Sequence, residues 1–135
     1  MMLHAVLICA IFSAVSADKV DPFSTQLHDR SLAVLREALT EGKVWVKVHA
    51  AESLIWTGHP EKVRETFLEE EKNAGPQYRI GVWRVLAQTA SDEKGRKEYV
   101  DKIAAVFFDT KAIDRLHASE TLGKLGYSSH DPEVL

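Results

Sequence analysis

The chain has 135 residues, with 17 Lys and Arg against 20 Asp and Glu for a net charge of −3. That is one domain's worth of material with ordinary apolar content. Its cations are interspersed with acids along every segment after residue 17, which excludes the basic face or stripe of a nucleic-acid binder.

The first seventeen residues, "MMLHAVLICAIFSAVSA", contain no Lys, Arg, Asp or Glu and close on the small-residue run Val15, Ser16, Ala17. They read as a secretory signal peptide over 1–17, cleaved after Ala17, with His4 standing where a basic n-region is usual. The run is too short to cross a bilayer comfortably. The expected product is therefore exported, periplasmic or extracellular, with no membrane segment after processing. Cys9, the only cysteine, leaves with the leader, and Ile8 precedes it where a lipoprotein signal would have a small residue. The mature part, 18–135, has no thiol, so neither disulfides nor thiolate metal sites hold it together.

Beyond Phe23 the chain reads as helix throughout: Ala, Leu, Glu, Lys and Arg dominate and apolar residues recur three and four apart. An opening helix is predicted over about 24–41, with Ser24 as N-cap behind Pro22 and Gly42 as its stop. Breaks follow at Gly58–Pro60, Ala74–Pro76, Ala90–Gly95, Asp109–Lys111 and Ser128–Pro132. Short helices joined by short connections imply antiparallel pairs.

The segments are self-similar. "VKVHAAESLIWTG" (Val46 to Gly58), "YRIGVWRVLAQTA" (Tyr78 to Ala90) and "DRLHASETLGKLG" (Asp114 to Gly126) align without a gap at offsets of 32 and 36 residues. Lys47, Arg79 and Arg115 coincide, as do Val48, Ile80 and Leu116, and Leu54, Leu86 and Leu122. "HPEKVRETFLEE", "SDEKGRKEYVDKIAAVFF" and "HDPEVL" then begin the second helices. The units run over about 43–74, 75–109 and 110–135, the last one incomplete.

At these residues the chain resembles the HEAT-like repeat family, in the short bacterial form named after phycobilisome lyases. The family pattern runs through a hydrophobic and a basic residue, a small pair, an acidic residue, Leu and a closing Gly. The first and third units match it, whereas the middle unit places Val82 and Trp83 at the small pair. The resemblance covers roughly Thr40 to Leu135. It implies an all-α fold, a right-handed superhelix of antiparallel helix pairs, and a scaffold that binds another protein, with no cofactor. It says little of activity.

The residues give the same picture independently. In the first unit Val46, Ala50, Ser53, Leu54 and Thr57 share one helix stripe, while Val44, Val48, Ala51 and Ile55 share another nearly opposite. Two apolar faces demand neighbours on both sides, as for an internal repeat. Leu54, Leu86 and Leu122 are expected to form one core ladder. Val63, Phe67, Leu68, Tyr99, Ile103, Val106 and Phe107 are expected to supply core from the second helices. The acidic run "FLEEEKN" reads as a solvated outer face.

His49 and Glu52 lie three apart on one helix face, and so do His117 and Glu120. Imidazole and carboxylate together suit Zn or Fe, so His49, Glu52, His117 and Glu120 form an alternative metal site and a metal-dependent enzyme the alternative function. Deoxyhypusine hydroxylase, a HEAT-like enzyme with metal chemistry, has Glu immediately after His, whereas Ala50 and Ala118 stand there in this chain. The intervening unit offers Gly81 and Arg84 at the equivalent positions, no ligands, and units one and three should not touch in a regular stack. A solvated His and Glu pair on each helix is therefore favoured over metal. A chaperone resembling the phycobilisome lyases is a further alternative, which an export signal disfavours.

Trp45, His49, Glu52 and Trp56 share a third stripe whose composition is that of an interface hot spot, unless the opening helix covers it to bury Leu32, Leu35 and Leu39. Lys47, Arg79 and Arg115 recur once per unit near helix N-termini, where a cation needs an acidic neighbour; Glu41, Glu71, Asp109 and Asp114 are candidates, and an anion-binding row is the functional alternative. No phosphate loop, nucleophile elbow or diagnostic carboxylate pair occurs. An uncovered third unit would leave Leu116, Leu122 and Leu125 free for self-association.

Overall fold

The computed structural model describes residues 22–127. The expected leader, Cys9 and the turn and helix start expected over 128–135 lie outside the described residues. Six α-helices make up the described part: α1 (Pro22–Glu41), α2 (Trp45–Trp56), α3 (Val63–Glu71), α4 (Tyr78–Gln88), α5 (Glu93–Phe108) and α6 (Arg115–Lys124). The first helix starts at Pro22 and not at Ser24; proline suits a first helical turn because the N–H it lacks would have no partner there.

The first helices of the three sequence units, α2, α4 and α6, form a row in which α4 touches both of its neighbours while the backbones of α2 and α6 stay apart. Helix α1 lies along α2 at one end of the row. Helix α3 packs chiefly on α4, and α5 on both α4 and α6. The core follows from this placement: α4 alone buries Ile80, Val82, Val85, Leu86 and Ala87, met by Leu54 from α2, Phe67 from α3, Ile103 from α5 and Ala118 from α6. Leu32 and Leu39 of α1 are buried as expected, with Leu35 packed at the margin.

The sequence repeat reappears in hydrogen bonds at the helix ends. Gly58 and Gly126, equivalent in the alignment, both hold positive φ (80° and 85°). Behind the first, His59 N–H donates to the Leu54 carbonyl at 2.8 Å and Gly58 N–H to Ile55 at 3.1 Å. Behind the second, Tyr127 N–H donates to Leu122 at 2.9 Å and Gly126 N–H to Gly123 at 3.0 Å. Both are the paired bonds of a glycine-closed C-terminus, which needs a residue tolerant of the left-handed region. Val44, Lys62 and Gln77, immediately before α2, α3 and α4, hold positive φ without being glycine. Such positions persist only where surrounding packing fixes them.

Several expectations from helical periodicity are corrected. Val44 and Val46 are exposed, and so is Leu68. With α1 lying along α2, the apolar stripes of α2 are buried at Val48, Ala50, Ala51 and Leu54 and leave their N-terminal members outside. Leu54 and Leu86 are fully buried, but Leu122 is only partly covered, and Leu125 is buried where exposure was expected.

The "FLEEEKN" segment is solvated at Leu68, Glu69, Lys72 and Asn73, but Glu70 and Glu71 turn to other helices. Glu70 accepts from Lys47 Nζ at 2.6 Å and from the Tyr78 hydroxyl at 2.8 Å. Glu71 accepts from Lys102 Nζ at 2.9 Å, from Trp83 Nε1 at 3.1 Å and from the Tyr99 hydroxyl at 3.3 Å. Burial favours the protonated form of Glu70, yet the bonds from Lys47 and Tyr78 outweigh it and hold its carboxyl below the usual range. For Tyr78, burial and the Glu70 charge act together and push the phenol far above its ordinary value.

Candidate functional site

Along the row the equivalent positions carry Glu52, Arg84 and Glu120. Both Glu52 and Arg84 are inside the protein, 2 % and 1 % exposed. Arg84 Nη2 donates to Glu52 Oε2 at 3.0 Å, and Nη1 donates to Thr121 Oγ1 at 3.0 Å. Arg84 Nε lies 2.7 Å from Glu52 Oε1 without aiming its N–H along that line, so charge attraction rather than hydrogen-bond geometry accounts for this approach. One guanidinium thus ties α4 to α2 on one side and to α6 on the other. Glu52 is a buried counter-charge and not the solvated residue expected.

Gly81, equivalent to His49 and His117, does a different job. A Cβ built on it would meet Trp45 Cζ3 and Val48 Cγ2, each at 2.9 Å. The missing side chain lets the Trp45 indole lie over α4 and reach His117, with ring centroids 5.2 Å apart. His49 flanks the same indole at 6.2 Å, and the Arg84 guanidinium lies 5.9 Å from its centroid. Units one and three therefore do meet, side chain to side chain, across the glycine of the middle unit.

Trp45, His49, Arg84, His117, Glu120 and Lys124 line an open groove of about 290 Å³. Its carboxylates are engaged: Glu52 with Arg84, its Oε2 also 3.5 Å from His49 Nδ1, and Glu120 with Lys124 at 2.8 Å. The Lys124 bond holds the Glu120 carboxyl below its ordinary range against a smaller opposing effect of burial, with the charges of Arg84 and His117 adding to it. Among the described residues no three or more His, Cys, Asp or Glu gather as a metal-binding group. The alternative ligand set His49, Glu52, His117 and Glu120 is thus not assembled, because Arg84 stands between the two dyads and occupies Glu52.

The remaining residues of the stripe diverge. Trp45 packs against the core, whereas Trp56 is 72 % exposed, so α1 covers neither the groove nor the second indole. The cation row also diverges. Lys47 takes Glu70 in place of the neighbouring acid expected. Arg79 grips Asp114 at 2.7 and 3.1 Å, linking the second unit to the third. These two bonds hold the Asp114 carboxyl below its usual range in spite of burial, helped by the Gln77 N–H. Arg115 donates to the Phe107 carbonyl at 2.6 Å. With Lys47 and Arg79 each committed to one acid, the row ties helices together.

Gly81 and Arg84, which offer no metal ligand, organise the site. The signal was present in the alignment: a basic residue at a position acidic in both flanking units, and a glycine one helical turn before it. Gly81→Val is expected to cost about 1 to 3 kcal/mol through overpacking and to push Trp45 off His117. Chemical denaturation together with the Trp fluorescence maximum would check both effects.

Comparison with family models, curated proteins and solved structures finds no match to this chain.

Proposed function

We propose that this chain is an exported HEAT-like helical scaffold, a short right-handed superhelix, that binds a partner protein through the α2 face and the groove beside it. The observation that carries the reading is Trp56, a large apolar side chain left 72 % exposed on the stripe that also bears Trp45 and His49. Exposed Trp is costly to leave in water and is the residue type most enriched where interfaces concentrate their energy. The helix row, with α4 between α2 and α6, and the matching glycine caps of the first and third units support the repeat architecture. The pairing of Glu52 with Arg84 supports a rigid floor beneath the groove, which lowers the ordering cost of binding.

The test starts from partners captured by the immobilised chain from the exported fraction of its own host. Trp56→Ala is expected to weaken the captured complex by about 30-fold or more, the size of a hot-spot loss. It should leave the melting temperature nearly unchanged, as for other exposed positions. Undiminished binding would remove Trp56 from the interface and the reading with it.

A further inference from the structure

The residue at one repeat position is buried in the first two units and exposed in the third. In α2 it is Val48, whose Cγ2 abuts α4 at Gly81; in α4 it is Ile80; both are fully buried. In α6 it is Leu116, and it is 80 % exposed, with Ile113 in the turn just before the helix 74 % exposed. Ser119 and Gly123 continue this stripe, and a Cβ at Gly123 would have nothing within 4 Å. The stripe therefore has two apolar knobs followed by a shallow, small-residue track that a helix can approach closely.

The opposite end of the row carries the matching surface. Helix α1 buries Leu32 and Leu39 against the protein and turns Leu27 and Val34 outward, both exposed. Glu37 and Glu41 are exposed at the C-terminal end of that outer stripe, and Lys111 and Arg115 are exposed around the N-terminus of α6. Antiparallel docking of α1 on α6 sets acids against bases.

We propose that the face of Ile113 and Leu116 receives α1 of a second copy of this chain, continuing the helix row from one molecule into the next. The two surfaces are different, so the contact is head-to-tail and does not close on itself, and it yields open chains of increasing length. It is separate from the Trp45 groove and stands or falls independently of partner binding there.

Sedimentation velocity on the full chain over a wide concentration range tests this. The expected result is progressive, salt-weakened growth beyond a dimer. Leu116→Glu and Leu27→Glu should each lower the association constant at least tenfold, while their equimolar mixture regains a dimer and nothing larger, because one intact head then meets one intact tail. Glu41→Lys should weaken association, and Arg115→Glu in the same chain should restore it. A chain monomeric throughout would overturn the proposal. Association abolished by Leu116→Glu but untouched by Leu27→Glu would mean a symmetric contact and also overturn it, as would association that survives both substitutions.

Discussion

Replacing Arg84 by Met should cost about 3 to 5 kcal/mol, the usual penalty for stranding one partner of a buried ion pair. Glu52 would keep its buried carboxylate without a counter-charge, and Thr121 Oγ1 would lose its donor, so α2 and α6 would both loosen from α4. In a small domain this is a large share of the total stability. Glu52→Leu combined with Arg84→Met should recover most of the loss, because apolar groups of similar volume often replace a buried pair at little cost. Urea denaturation of the two single variants and the double variant gives the coupling directly. The exposed pair Lys97 and Asp101, 2.7 Å apart, is the control: Lys97→Met should cost at most about 1 kcal/mol. An Arg84→Met loss no larger than that control would rule out a structural role for the pair.

A graded series along the leucine ladder should give the next largest effect. Leu54→Ala and Leu86→Ala each remove a fully buried side chain and should cost about 2 to 5 kcal/mol. Leu86 belongs at the upper end, since α4 touches every other helix except α1 and has little freedom to collapse into a cavity. Leu122→Ala, at the partly covered end, should cost about 1 kcal/mol, because less apolar area is lost and solvent can fill the space. Equal losses at all three positions, read from the same denaturation curves, would mean that Leu122 is as enclosed as its equivalents.

The all-helical class and most of the break positions were legible in the sequence because they depend on local periodicity and on Gly and Pro, as at Gly42 and Gly58. Leu54, Leu86, Phe67 and Ile103 were legible as core for the same reason. What stayed hidden depends on which neighbour a helix meets. Val46 and Leu68 have the spacing of core residues but, among the described residues, no other helix covers them. Glu52, Glu70 and Glu71 look like surface acids until Arg84, Lys47 and Lys102 arrive from other helices. The groove was half visible: Trp45 and His49 could be placed on one face, but their meeting with His117 depends on an absent side chain at Gly81, and periodicity does not register an absence.

The buried pair of Glu52 and Arg84 also restricts how this protein can be rearranged. Reading down the row the signs run negative, positive, negative at Glu52, Arg84 and Glu120, the first two buried and the third exposed and paired with Lys124. Duplicating the first unit in place would set two carboxylates at the position of Glu52, and duplicating the middle one would set two guanidiniums together, each leaving an uncompensated charge near the core. Deleting the middle unit would remove Arg84 and strand the buried Glu52 carboxylate. The order of α2 and α4 is thus written into the polarity of the interior, and the two helices, though alike in sequence pattern, are not interchangeable.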